Sequence, residues 1–163
     1  MSFEVDQRVV YPVFGLGRIV GRVMKSFLDP EMQEYYEVVG ESSTIWVQVS
    51  EAAARGLRRL TRPEELPHYR AVLRSQPAKL DPDDRRRHHD ISARLKRGTF
   101  QDLCEVVRDL NAHGERAALS EYDLVGLEKS RRWLSQEWAA ASGLSVDQAT
   151  TEVNALLAEA RRT

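Results

Sequence analysis

Near residue 62 the spacing of apolar residues changes from the two-residue alternation of strands to the three-to-four-residue spacing of helices. One regular architecture cannot serve both halves, so the chain is expected to fold as α+β, with a strand-built unit over 1–62 and a helical unit over 63–163. In the first half, Val9-Val10-Tyr11, Arg18 to Met24, Tyr35 to Val39 and Thr44 to Val49 are rich in β-branched and aromatic residues. The last of these alternates cleanly, with Ile45, Val47 and Val49 on one side and Thr44, Trp46 and Gln48 on the other. Turn chemistry separates the runs: Pro12 to Gly17, Asp29-Pro30 and Gly40 to Ser43. Short strands packed so closely predict a small, strongly bent sheet or an SH3/Tudor-like β-barrel, a module with little room for a buried catalytic pocket.

The second half is punctuated by helix caps. Pro63-Glu64-Glu65 opens a helix that runs to about Ser75, before Pro77. Asp81 as N-cap, Pro82 at the first helical position and Asp84 in the first turn open a second, which Gly98 closes. Thr99 with Asp102 caps a third, ending near Gly114. Ser120 with Asp123 caps a fourth, with Leu119 and Leu124 spaced as a hydrophobic staple, and Gly143 stops it. Ser145 and Gln148 form a capping box for the last, which carries Val146, Ala149, Val153, Leu156, Leu157 and Ala160 at helical spacing. A bundle of about five helices is the expected outcome.

Charge is balanced overall, at a formal net of −1, and residues 1–62 hold eight Lys/Arg against eight Asp/Glu. The second helix departs from that balance. Within 85–97, Arg85, Arg86, Arg87, Arg94, Lys96 and Arg97 face one acid, Asp90, a local net of six minus one, or +5. On a helical projection His88, Ile91 and Leu95 share the inward face with Asp84. Arg85, His89, Ser92 and Lys96 form the neighbouring stripe, with Arg86, Ala93 and Arg97 beside it. A cationic face on a neutral protein suits local, sequence-independent phosphate binding. A solvated helix paired with acidic neighbours would show the same composition.

Catalytic and metal chemistry find no footing. His68, His88, His89 and His113 show no ligand spacing with the lone cysteine, Cys104, which falls on the apolar side of a helix with Phe100, Leu103 and Val107. Phe14-Gly15-Leu16-Gly17 lacks the lysine and the following helix of a phosphate loop, and Asp81, Asp83 and Asp84 read as a helix start rather than a cation site. No cofactor, metal, small-molecule substrate or membrane contact is expected. An N-terminus without signal-peptide character and a single cysteine fit the cytoplasm.

The opening Phe3 to Val20, with Val9-Val10-Tyr11-Pro12-Val13-Phe14-Gly15-Leu16-Gly17 at its centre, resembles the start of the CarD/CdnL family of bacterial RNA polymerase-binding transcription regulators. Glu34-Tyr35-Tyr36, Trp46-Val47-Gln48-Val49, Arg55-Gly56-Leu57-Arg58 and Pro63-Glu64-Glu65-Leu66 follow in the family's order. So do a basic helix, Glu105 to Leu110, and Leu119-Ser120 before a long helix. The resemblance implies that the β unit docks on the β-subunit lobe of RNA polymerase, partly by edge-strand pairing, through positions matching Lys25, Ser26, Phe27 and Gln48. Lys25 and Gln48 stand where some relatives carry arginine, and neither supplies a planar cationic fork. Asp6-Gln7 replaces a common Gly-Asp pair.

The resemblance also implies that the helical unit touches upstream promoter DNA, here through Arg85, Arg86, Arg87, His89, Lys96 and Arg97. Typical members place a tryptophan at the start of the basic helix, where it wedges into the minor groove. This chain has Asp84 at the wedge-equivalent position, and a carboxylate neither stacks on bases nor tolerates phosphates. Trp46, Trp133 and Trp138 lie elsewhere and suit core or interface packing. The expectation is a non-enzymatic transcription regulator; the alternative is a protein-interaction adaptor that binds polymerase or another protein without touching DNA.

Overall fold

The computed structural model describes residues 2–27 and 30–160, which form two compact units, Met1–Leu60 and Thr61–Thr163. Five strands make the first: β1 (Arg8–Tyr11), β2 (Gly15–Lys25), β3 (Gln33–Val39), β4 (Thr44–Gln48) and β5 (Arg58–Arg59). All are antiparallel, in the order β4-β3-β2-β1-β5, and the ladder stays open between β4 and β5. Bending comes from β2, which pairs with β1 through its first half and with β3 through its second, with a register shift between Ile19 and Gly21. The expected turn at Asp29-Pro30 falls where Asp29 lies outside the described residues.

One face of the sheet carries the core. Val9, Ile19, Tyr36, Val38 and Val47 are buried together with Phe3, Ala52 and Leu57, and Phe14 packs against them. Tyr36 is fixed from two sides, its hydroxyl accepting from the Phe3 amide at 3.0 Å and its ring meeting Phe3 edge-on. Close packing explains two glycines: a Cβ at Gly40 would stand 2.5 Å from the Phe14 ring, and one at Gly17 would stand 2.7 Å from Val38. The other face is solvated, and β4 forms an edge five residues long. β5, only two residues long, was not visible as a strand in the sequence.

The second unit contains α1 (Leu66–Arg74), α2 (Asp84–Arg97), α3 (Phe100–Arg116), α4 (Glu121–Ser142) and α5 (Val146–Ala160). The capping pairs Thr99/Asp102, Ser120/Asp123 and Ser145/Gln148 form as expected, and Gly98 and Gly143 adopt the left-handed conformation that ends α2 and α4. The core runs through α1, α3, α4 and α5 around Trp138, Leu73, Leu134 and Val107, with Cys104 buried inside it. A smaller cluster of Ile91, Val106 and Leu110, with Leu80 and Leu119 against it, fixes α2 to α3.

Four local expectations need correction. The N-cap of α2 is Asp83, whose carboxylate accepts from the Arg86 amide at 3.0 Å. Asp81 instead accepts from the Asp83 amide, a turn that delivers Asp83 to the cap. Helix α3 continues past Gly114 to Arg116, and the glycine leaves room for Leu119, which packs where a side chain at 114 would lie. The Leu119/Leu124 staple does not close: Leu119 joins the small cluster while Leu124 is 54% exposed. Finally, α2 turns Arg87 inward beside Ile91, whereas Asp84, expected inside, is exposed.

Candidate docking surface and nucleic-acid interface

The solvated face of the sheet gathers the residues singled out for docking. Gln48 lies opposite Tyr35 and Trp46 opposite Glu37, so the strand alternation that buries Val47 aims Trp46 and Gln48 outward. Phe27 follows β2 and folds over this face: its ring meets Tyr35 edge-on at 4.9 Å and Trp46 at 6.0 Å. Lys25 stands above both, its Nζ 4.6 Å from the Trp46 centroid and 5.6 Å from that of Phe27. Such cation–π contacts hold an ammonium over a ring without neutralising it. Phe27 remains 51% exposed and Trp46 37%, whereas Phe14 packs into the core. Gln48 donates to Gln33 at 3.3 Å, and Ser26 lies exposed between Lys25 and Phe27. Lys25, Phe27 and Gln48 thus share one patch beside the open edge of β4. Trp46 and Tyr35 belong to it too, and only the alternation of β4 marks Trp46 as outward in the sequence.

The basic side chains of α2 divide into two sets. Arg87 has a side chain 2% exposed and stands among acceptors that use its whole guanidinium. Nε and Nη2 donate to Asp123 at 3.0 and 2.6 Å, Nη1 donates to the carbonyls of Asp81 and Pro82, and Nη2 also reaches Asp84. Burial opposes ionisation of Asp123, but the bonds from Arg87 and Ser120 outweigh it and hold the carboxyl below its ordinary range. Arg87 is a structural ion-pair residue, and the DNA contact expected of it is withdrawn: its charge is spent inside the bundle. Arg94 is likewise engaged, by Asp109 at 3.2 Å, Asp90 at 3.5 Å and Glu105 at 3.6 Å. Arg97 donates to Asp102 at 2.6 and 3.0 Å while keeping a 63% exposed side chain. Asp102 is pulled below its usual range because these bonds and those from Thr99 overcome its burial.

The second set is unpaired. Among the described residues, the side chains of Arg85, Arg86, His89 and Lys96 have neither a hydrogen bond nor an ion pair, and all four are exposed. Arg85, His89 and Lys96 recur at i, i+4 and i+11 and so line one flank of α2, with Ser92 between them. Next to that flank, Asp84, His88 and Asp123 bring potential ligand atoms within 4.8 Å of one another. Arg87 already donates to both carboxylates, so a cation entering there would have to displace a guanidinium.

Comparison with known proteins bears on both surfaces. The model of the CarD C-terminal domain family matches residues 69–154, more than half of the chain and nearly all of the helical unit. The chain belongs to the CarD family. It is also 26% identical over 148 residues to a Bacillus subtilis (strain 168) protein named "Putative transcription factor YdeB", covering 90% of this chain and 96% of that one. The similarity to YdeB therefore runs through the sheet unit as well as the CarD-matched helices. Among the described residues, no helix is long and apolar enough to cross a membrane.

Proposed function

We propose that this CarD-family chain is a transcription regulator that docks on the β-subunit lobe of RNA polymerase through the outer face of its sheet and contacts upstream promoter DNA through α2. Family membership and the name of its Bacillus subtilis relative support a role in transcription rather than catalysis. The observation that carries the DNA contact is the unpaired set Arg85, Arg86, His89 and Lys96, left over after Arg87, Arg94 and Arg97 are claimed by carboxylates. Exposed arginines and lysines without internal partners attract phosphates by releasing condensed counterions, an effect that reads charge and not sequence, and His89 adds a hydrogen-bonding ring beside them. Docking is supported by the exposed Phe27, Trp46 and Lys25 beside an open strand edge, the combination of aromatic anchor and main-chain pairing that β-augmentation uses. A weak phosphate contact then gains from the effective concentration that docking provides.

The test has two arms. Phe27→Ala and Trp46→Ala are expected to weaken binding to the isolated polymerase β lobe by about 30-fold each, the loss of one hot-spot residue. With polymerase bound at a promoter, Arg85→Ala/Arg86→Ala/Lys96→Ala is expected to flatten the salt dependence of complex stability by up to about three charges' worth, near 0.9 in log–log slope for each. An unchanged slope with docking intact would leave a polymerase-binding adaptor that does not touch DNA.

A further inference from the structure

Beside the unpaired flank of α2 stands an aromatic residue that neither surface has yet used. Tyr122, in the first turn of α4, is 53% exposed, and its only ring contact among the described residues is His88, at 4.3 Å between centroids and 33° between planes. The tyrosine hydroxyl makes no hydrogen bond among the described residues. His88 is held in place beneath it: Nε2 lies 3.0 Å from Ser120 Oγ and 3.3 Å from Asp123 Oδ1, and Asp123 is in turn clamped by Arg87. The buried ion pair thus fixes a two-ring stack whose outer member faces solvent. Leaving a large aromatic ring half in water forgoes burial energy that a core tyrosine would gain.

A second, independent feature lies one helical turn further along. Gly126 sits in the interior of the 22-residue α4 without a left-handed φ, and a Cβ built there meets nothing within 4 Å. Neither backbone conformation nor internal packing requires glycine at that position, although it weakens the helix. Helical side chains lean toward the N-terminus, so any residue at 126 would cover the turn that carries Tyr122. Glycine leaves that side of the tyrosine open.

Resting on the reading of α2 as a DNA-contacting helix, we propose that Tyr122, backed by His88, is a stacking platform for an unpaired DNA base whose backbone follows the stripe Arg85, His89 and Lys96. Every base offers a π-face, so an open ring flanking a cationic groove binds unpaired nucleotides with little sequence preference. Asp84, which precedes Arg85 on α2, is tied to Arg87 rather than paired with the stripe.

The probes are a short DNA duplex and the same duplex with a small unpaired bubble containing 2-aminopurine. The full-length protein should bind the bubble more tightly than the duplex and quench the 2-aminopurine. Tyr122→Ala should remove about a 5- to 150-fold preference, the range for one stacked base, while leaving duplex affinity unchanged. Tyr122→Phe should keep the preference, because the ring and not the hydroxyl carries it. Gly126→Leu should lower it by shielding the ring without altering Tyr122. The proposal is overturned on its own if duplex binding is salt-dependent and sensitive to Arg85→Ala but the bubble gives no preference, or one that Tyr122→Ala leaves intact. If duplex binding is absent, or indifferent to Arg85→Ala, the DNA-contact reading falls and takes this platform with it.

Discussion

Replacing Arg87 tests the claim that the most basic helix of the chain spends one of its charges on holding the bundle together. Both partners of the pair are almost wholly inaccessible, with side chains 2% exposed for Arg87 and 1% for Asp123. Removing one member of a buried pair leaves the other uncompensated, at a cost of about 3–5 kcal/mol. In Arg87→Met the stranded Asp123 keeps its capping bonds to Ser120 and its contact with His88, which places the expected loss near 3 kcal/mol. That is a large fraction of the roughly 5–15 kcal/mol that stabilises a domain, and at about 4 °C per kcal/mol it lowers Tm by about 12 °C. Asp123→Asn should cost a similar amount, because it strands the guanidinium. The double variant should cost about 2 kcal/mol less than the sum of the singles. Unfolding can be followed by the fluorescence of Trp133 and Trp138 in a Trp46→Phe background, so that the signal reports the helical unit alone. Additivity within about 0.5 kcal/mol would refute the pairing. Below its transition temperature, Arg87→Met should also leave the salt dependence of DNA binding as it is in the unaltered protein.

Acid should act on the same unit. Asp123 and Asp102 have carboxyls lowered in the folded state, so the unfolded chain binds more protons as pH falls; their contribution is complete above the unfolded value near 4 and is lost below it. Urea midpoints measured across that range should fall toward acid, and Asp123→Asn should flatten the decline. Glycine substitutions should split by sign: Gly126→Ala is expected to stabilise by about 0.5–1 kcal/mol, since the methyl meets open space and the helix gains propensity. Gly17→Ala is expected to destabilise by about 1–3 kcal/mol, because the methyl would stand 2.7 Å from Val38 and 3.1 Å from the Val39 carbonyl, and thermal melts of the two would decide.

What the sequence revealed was governed by short range. Capping boxes are written three residues apart, and Thr99/Asp102, Ser120/Asp123 and Ser145/Gln148 could be read before any fold was known. The alternation of β4 and the left-handed glycines after α2 and α4 are equally local. Three aspartates within four positions blurred the start of α2, because each can accept an amide and only the backbone path decides which one caps. β5 escaped notice because Arg58-Arg59 has no strand composition and pairs only because β1 offers it an edge. The burial of Arg87 is not legible in the sequence for a physical reason: its partner lies 36 residues away, and neither composition nor periodicity marks an arginine whose charge is matched from another helix. A similar separation hid the contact of His88 with Tyr122, and Phe27 joins Tyr35 and Trp46 only once β2, β3 and β4 lie side by side.

The order of the sheet sets an arithmetic of its own. Of its two outermost strands, β5 is too short to template a neighbour, whereas β4 offers five residues along which foreign backbone can be zipped on. That margin can be claimed once. Whatever strand reaches it first, from another protein or from a second copy of this chain, shuts the others out until it leaves, so occupancy there is a competition decided by concentration and residence time.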